Sequence, residues 1–195
     1  MKTSPGDRVA KVRAVVLVGF MGAGKTSVGQ VLGRQMGWAF EDLDTRIQQR
    51  EGKTIEQIFQ ESGEPFFRRA EHAALRELLT ESGNASRVVA LGGGAFTQAD
   101  NIALLKQAEA ATVFLDGPAE ELFHRCQEQG LQRPLRRDPA DFARLYQTRR
   151  PQYLMASLRI ETSGKSVETV AAEIAQALGL HATHSGAGLP PGATI

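Results

Sequence analysis

Short apolar runs alternate along the chain with longer stretches in which apolar residues recur at helical spacing. Residues 15–18 are all apolar, as expected of a strand that is covered on both faces of a parallel sheet. Similar runs elsewhere complete the set of predicted strands, at residues 15–18, 38–43, 87–91, 112–115 and 158–162.

Helices are predicted between these strands. Apolar residues recur every three or four positions from Val28 to Met36, and Gly37 ends that helix. Residues 54–57 form a capping box that opens a short helix. Further helices are predicted at residues 67–79, closed near Gly83, and at residues 100–108 and 167–178. Another helix follows Pro118. A last one begins at Asp138 and Pro139, and Pro151 interrupts or ends it.

This alternation predicts an α/β fold with a central parallel sheet between two helical layers, because right-handed crossovers place helices on both faces. We expect one domain over residues 11–180, after a flexible segment at residues 1–10. Residues 127–138 are polar, basic and rich in turn-forming residues, which predicts a mobile loop. Residues 181–195 are rich in Gly, Pro, Ala and Ser, and we expect a disordered tail.

The composition narrows the possible partners and the compartment. The 195 residues carry a net charge of only +1, so we expect neither nucleic acid nor a membrane surface as a partner. Cys126 is the only cysteine, which excludes an internal disulfide and fits a reducing compartment. Residues 1–11 lack an apolar secretory segment, and residues 14–22 are too short to cross a bilayer. We therefore expect a cytoplasmic protein, and a monomer.

A phosphate-binding pattern follows the first predicted strand. Residues 19–26 read Gly-Phe-Met-Gly-Ala-Gly-Lys-Thr and satisfy G-x-x-x-x-G-K-[ST]. The glycines let the backbone curl so that several N–H groups converge on phosphate oxygens, and the next helix adds its positive end. Lys25 can reach the β- and γ-phosphates, and the Thr26 hydroxyl can join the coordination of Mg²⁺. A chance glycine-rich turn is disfavoured because a strand precedes the pattern and a helix follows it.

Two carboxylates, Asp42 and Asp44, stand at the end of the second predicted strand, the edge at which open α/β sheets bind ligands. Strand alternation would place them on one side, roughly 7 Å apart. One could then hold Mg²⁺ through water while the other accepts a proton from a substrate hydroxyl. The structural alternative is a helix N-cap at Asp44.

Arg68 and Arg69 stand at the predicted start of a helix, where their charge opposes the helix dipole unless one of them faces an anion. Glu71 could fix the Arg68 guanidinium from three residues away. A solvated charged face remains an alternative interpretation.

Three further segments could contact a ligand. Three glycines at residues 92–94 follow a strand, which favours close approach of a ligand to the backbone, although a plain loop is possible. Arg133 lies in the predicted mobile loop and could neutralise a transferring phosphoryl group, although a loop arginine is usually just solvated. Arg149 and Arg150 end a helix, where positive charge already has a structural explanation.

In order and spacing, these motifs resemble the shikimate kinase family of P-loop small-molecule kinases over residues 15–178. The resemblance implies a P-loop NTPase fold of the nucleoside monophosphate kinase type. It implies transfer of the γ-phosphoryl group of MgATP to the 3-hydroxyl of shikimate, in aromatic amino-acid biosynthesis.

By the same resemblance, residue roles can be assigned. Lys25, Asp44 and Arg133 would be catalytic, with Asp44 as the base, and Thr26 and Asp42 would support Mg²⁺. The acceptor would be bound by Asp44, Arg68, Gly93 and Arg149, with the two arginines holding its carboxylate. The nucleotide would be bound by Gly22, Ala23, Gly24, Lys25, Thr26, Ser27, Arg125 and Arg133, with Arg125 beside the adenine.

Two alternatives stay open at this point. A gluconate-type or nucleoside monophosphate kinase could use the same fold with another acceptor. A nucleotide-sensing module would bind ATP with no acceptor, but it would not need paired arginines and an Asp-x-Asp segment facing one pocket. Acceptor-dependent release of ADP separates these possibilities.

Overall fold

A computed structural model describes residues 12–81, 85–128 and 138–182. The strands of this part of the chain are β1 (Ala14–Val18), β2 (Ala39–Asp42), β3 (Arg87–Ala90), β4 (Ala111–Asp116) and β5 (Leu158–Glu161). They form one sheet in the order β2-β3-β1-β4-β5, and every pairing is parallel. Every residue of β1, the central strand, is buried. The predicted α/β fold with a central parallel sheet is confirmed.

Helices connect the strands. They are α1 (Lys25–Met36), α2 (Leu43–Glu51), α3 (Ile55–Thr80), α4 (Ala99–Gln107), α5 (Ala119–Glu128), α6 (Pro139–Tyr153) and α7 (Val167–Ala177), with a 3-10 helix (Ala95–Thr97) before α4. Helix α1 packs against α7, and α5 packs against α6. Because all strands are parallel, the segments that follow them lie at one edge of the sheet, and this edge carries the candidate site.

Local capping chemistry sets several helix boundaries as predicted. The Thr54 hydroxyl accepts from the Gln57 N–H at 3.2 Å, and the Gln57 side chain accepts from the Thr54 N–H at 2.8 Å. This reciprocal pair is the predicted capping box. Asp138 caps α6 by accepting from the Ala140 N–H at 2.7 Å, directly before Pro139.

The two helices predicted at residue 54 and at residues 67–79 are both present within α3, which has a kink at Gly63, where φ is 74° and ψ is 172°. Only their boundary was misplaced, because the second helix begins directly after Gly63 and not at residue 67. A glycine adopts this positive-φ conformation without strain, so the chain can re-enter a helix immediately, with Pro65 in the new first turn. Pro151 does not end α6, which continues to Tyr153.

Several predictions concern residues outside the described part of the chain. They are the flexible segment at residues 1–10, nearly all of the loop at residues 127–138 with Arg133, and the tail beyond residue 182. Within the described ranges, no helix combines the length and the apolar character that crossing a membrane requires.

Candidate active site

The glycine-rich turn joins the end of β1 to α1. Gly22 and Gly24 have φ of 80° and 84°, in the left-handed region that favours glycine. A Cβ on Gly22 would also lie 2.3 Å from the Leu122 carbonyl oxygen of α5, so this position has no room for a side chain. Helix α1 has no side-chain N-cap and no acidic residue in its first turn. Its first N–H groups therefore suit an anion, as the sequence pattern predicted.

Lys25 is the first residue of α1 and folds back over the turn. Its Nζ donates to the carbonyl oxygens of Gly19 and Phe20, both at 2.9 Å. The ammonium group is thus held above the curled backbone, where it contributes positive charge beside the N-terminus of α1. A bound phosphate would meet this charge and the backbone N–H groups together.

Asp42 connects the phosphate-binding turn to α2. Its Oδ2 accepts from the Thr26 hydroxyl at 2.9 Å, and its Oδ1 caps α2 by accepting from the Asp44 N–H at 3.0 Å. The strand ends at Asp42, and Asp44 lies in the first turn of α2. The predicted placement of both carboxylates on one side of a strand is therefore wrong, and so is the alternative in which Asp44 is the cap.

Asp44 packs against the glycine segment that follows β3. A Cβ on Gly92 would lie 2.4 Å from Asp44 Oδ1, so this carboxylate occupies the space that any other residue at position 92 would fill. Gly94 leaves room for Arg68 in the same way, since a Cβ on Gly94 would lie 2.8 Å from Arg68 Nη1 and Nη2. The glycines let two functional side chains approach the backbone.

Arg68 is held on both sides by carboxylates of its own helix. Its Nη1 donates to both oxygens of Glu71 at 3.1 and 3.0 Å, and its Nη2 donates to Glu64 at 3.0 Å. The predicted contact with Glu71 is confirmed. Burial raises the pKa of Glu71 to about 6, although the positive charge of Arg68 acts in the opposite direction.

The two adjacent arginines of α6 point in different directions. Arg149 turns towards the glycine segment, with Nη1 3.4 Å from the Gly93 carbonyl oxygen, while Arg150 Nη2 bonds Asp116 at 2.8 Å. Tyr153, which sequence reasoning did not assign to the site, donates its hydroxyl to the same Gly93 carbonyl. Tyr153 lies one helical turn beyond Arg149, and this spacing was the sequence signal that could have assigned it to the site.

Asp44, Arg68 and Arg149 face one cavity of about 650 Å³ beside the phosphate-binding turn. Its polar wall contains Asp44, Arg68, Glu71, Gly92, Gly93, Gly94 and Arg149. Its apolar wall contains residues that sequence reasoning did not assign to the site, namely Met21, Ile55, Phe59 and Phe67. The spacing of Ile55 and Phe59 in the first turns of α3 indicated a shared face, but an apolar helix face ordinarily faces the core.

Arg125 does not line this cavity. Its Nη2 donates to the Thr162 carbonyl at 3.1 Å and pairs with Glu121, which places it where β5 ends. The neighbouring Cys126 is buried, as expected for a small helix residue, and its Sγ would lie 2.9 Å from a Cβ on Gly22. Helix α5 thus abuts the phosphate-binding turn at Gly22.

Comparison with known proteins matches this geometry to one family. A family model described as shikimate kinase matches residues 21–179. The chain belongs to the shikimate kinase family. The shikimate kinase of Moorella thermoacetica is 40% identical over 168 residues, which cover 84% of this chain and 93% of that protein. That of Geobacter sulfurreducens is 43% identical over 166 residues, covering 84% and 89%.

Comparison with solved structures also finds a shikimate kinase. The shikimate kinase of Acinetobacter baumannii in complex with shikimate has a TM-score of 0.78 and 36% identity, covering 86% of this chain and 93% of that one. A gluconokinase of Sinorhizobium meliloti has a TM-score of 0.54 and 19% identity over 85% and 91% of the two chains. The second likeness shows a shared fold alone.

Proposed function

We propose that the chain phosphorylates the 3-hydroxyl of shikimate, with the acceptor bound in the 650 Å³ cavity and ATP bound across the phosphate-binding turn. As a shikimate kinase family member, the chain is an ATP-dependent phosphotransferase with an alcohol acceptor. One observation carries the acceptor assignment. Arg68 and Arg149, far apart in sequence, line the same cavity as Asp44, next to Met21 of the phosphate-binding turn.

The two arginines suit an organic carboxylate because a guanidinium donates two parallel hydrogen bonds to it. Arg68 is oriented by Glu71, and Arg149 is oriented by its contact with Gly93. The apolar wall suits the carbon ring of the acceptor. These groups would hold the reacting hydroxyl near the γ-phosphate in a fixed geometry, which is the main requirement of phosphoryl transfer.

In the proposed reaction, the 3-hydroxyl oxygen forms a bond to the γ-phosphorus of ATP. The bond from the γ-phosphorus to the bridging oxygen breaks, ADP leaves with that oxygen, and the hydroxyl proton passes to Asp44. Lys25 and the N–H groups of α1 stabilise the negative charge of the phosphates. Arg133 would add positive charge there, and Arg125 would contact the adenine; both roles remain predictions, as do the monomeric state and the cytoplasmic location.

The residues beside the turn fit Mg²⁺. The Thr26 hydroxyl and the Asp42 carboxylate are 2.9 Å apart and supply the hard oxygen ligands that this ion prefers. Among the described residues, no group of three His, Cys, Asp or Glu side chains could hold a metal by itself. That matches an ion held by few protein atoms together with water and phosphates. When bound, Mg²⁺ would neutralise charge on the β- and γ-phosphates.

Release of ADP with different acceptors tests the proposal. Shikimate, gluconate and a nucleoside monophosphate are compared at equal concentration with MgATP, and mass spectrometry identifies the phosphorylated product. We expect rapid ADP release with shikimate only, because only its carboxylate and ring match the two walls of the cavity. Equal or faster turnover with gluconate or the nucleotide, or ATP binding with no acceptor-dependent turnover, would contradict the proposal.

A further inference from the structure

Asp116 is a buried carboxylate at the end of β4 that the proposed reaction does not use. Its side chain is 2% exposed, so its charge needs compensation from hydrogen bonds and cations. Oδ1 accepts from the Gly117 N–H at 3.0 Å and from the Tyr146 hydroxyl. Oδ2 bonds Arg150 Nη2 and Arg159 Nε, both at 2.8 Å.

Two of these partners belong to α6. Tyr146 and Arg150 are four residues apart, so they lie on one face of the helix and reach the same carboxylate. Arg149 precedes Arg150 and points about 100° away around the helix axis, given 3.6 residues per turn. The direction of Arg149 is therefore tied to how Arg150 and Tyr146 are anchored.

The last turn of α6 needs such an anchor because Pro151 lies inside it. A proline has no N–H, so the turn that carries Arg149 lacks one of the backbone hydrogen bonds that would otherwise fix it. Side-chain contacts fix the turn instead of the missing backbone hydrogen bond. Arg150 binds Asp116 on one side of the turn, and the Tyr153 hydroxyl binds the Gly93 carbonyl on the other.

The same anchor reaches the phosphate-binding turn. The Phe20 ring lies 5.4 Å from the Tyr146 ring, centroid to centroid, and 5.9 Å from the Arg149 guanidinium carbon. Tyr146 thus contacts Asp116 with its hydroxyl and Phe20 with its ring. A shift of α6 would move Arg149 relative to the turn that binds the nucleotide phosphates.

We propose that Asp116, Tyr146 and Arg150 form a positioning cluster that sets the direction in which Arg149 enters the acceptor cavity. The proposal rests on the proposed function, in which Arg149 binds the acceptor carboxylate. None of the three residues lines the cavity, so they act through Arg149 and the last turn of α6.

The charge state of the cluster supports a fixed anchor. Burial alone would raise the pKa of Asp116, but the hydrogen bonds from Tyr146 and Arg150, together with the positive charges of Arg150 and Arg159, outweigh it and lower that pKa. Burial, with Asp116 nearby, raises the pKa of Tyr146 to about 12. Asp116 therefore remains an acceptor and Tyr146 a donor throughout the neutral pH range.

Two arginine variants that lose the same contact test the proposal. Arg150→Gln and Arg159→Gln each remove a cation 2.8 Å from Asp116 Oδ2, but Arg159 is on β5. Full-length variants are assayed for kcat and for the KM of shikimate and of ATP. We expect Arg150→Gln to raise the shikimate KM about 10-fold, because small misplacements of a binding group are costly, with the ATP KM unchanged. Arg159→Gln should leave the shikimate KM within about 2-fold of wild type.

A double variant distinguishes positioning from general destabilisation. In an Arg149→Ala background, Arg150→Gln should change the shikimate KM no further, because the residue through which it acts is gone. An equal rise in both single arginine variants, no rise in Arg150→Gln, or an additive rise in the double variant would overturn the proposal. If Arg150→Gln does not fold, Tyr146→Phe replaces it with the same expectations.

Arg149→Ala alone separates this proposal from the proposed function. A raised shikimate KM in Arg149→Ala with none in Arg150→Gln overturns the positioning cluster and leaves the function standing. An unchanged shikimate KM in Arg149→Ala removes Arg149 from the acceptor site and overturns the positioning cluster, while shikimate-dependent release of ADP decides the proposed function separately.

Discussion

At the scale of single residues, the site depends on side chains that approach the backbone unusually closely. Asp44 and Arg68 occupy the positions where Cβ atoms of residues 92 and 94 would stand. The glycine segment was interpreted from the sequence as a place where a ligand approaches the backbone. In the structure, the space beside these glycines is occupied by protein side chains, Asp44 and Arg68, which form part of the polar wall of the cavity.

Alanine substitutions of Gly92 and Gly94 should therefore affect different kinetic constants. Gly92→Ala displaces Asp44, so we expect kcat to fall by a factor approaching the ~10²–10⁴ expected of Asp44→Asn, as for loss of a general base. Gly94→Ala displaces the Arg68 guanidinium, so we expect mainly a higher shikimate KM. Steady-state kinetics of the three variants, with ATP binding as the control, checks this. Equal effects of both glycine variants on kcat would contradict it.

The burial of Glu71 should appear in the pH dependence of stability. Its folded pKa of about 6 exceeds the unfolded value of 4.5, so the folded state binds the proton more tightly. The contribution to unfolding free energy is thus largest well below pH 4.5 and is lost as the pH rises through 6, by roughly 2 kcal/mol in all, at 1.36 kcal/mol per pKa unit.

Urea denaturation at pH 4.5 and pH 7 measures this term. Glu71→Gln should lose this pH-dependent contribution, so its change in unfolding free energy between the two pH values should differ from that of wild type. Glu64→Gln removes the exposed carboxylate of the same arginine and should retain the wild-type change, since Glu64 is 62% exposed. Identical pH dependence in Glu71→Gln and wild type would show that the Glu71 carboxyl is not perturbed.

At the scale of elements, α3 serves two purposes on either side of its bend at Gly63. Its first turns carry the apolar wall through Ile55 and Phe59, and its continuation carries Arg68. The capping box at Thr54 fixes where this helix begins. Stability at the start of α3 and the shape of the cavity are therefore coupled.

Removal of half of the capping box tests this coupling. Gln57 does not line the cavity, and Gln57→Ala should cost on the order of 1 kcal/mol of stability and also raise the shikimate KM. Ser166→Ala removes the N-cap of α7 and should cost a similar amount without changing that KM. Thermal unfolding and steady-state kinetics of both variants check the prediction. A shikimate KM that rises equally in both would show that stability alone is responsible.

At the scale of the whole molecule, sequence reasoning succeeded where a local rule decides. The buried strands, the phosphate-binding turn, the caps at Thr54 and Asp138 and the contact between Arg68 and Glu71 all follow from nearby residues. It failed where tertiary geometry decides. Asp42 takes the cap because β2 ends there. The resemblance named Arg149, which does line the cavity, but the physical reason that Arg150 is turned away is its bond to Asp116. No spacing in the chain reveals that buried partner.

The central claim is that Arg68 and Arg149 bind the acceptor carboxylate together. Its most direct test compares kcat/KM for shikimate and shikimate methyl ester in wild type, Arg68→Ala, Arg149→Ala and the neighbouring control Arg69→Ala. Wild type and Arg69→Ala should prefer the acid about 10- to 100-fold, as expected for charge-assisted hydrogen bonds. The preference should collapse to a few-fold or less in Arg68→Ala and Arg149→Ala. An undiminished preference for the acid in both would contradict the account.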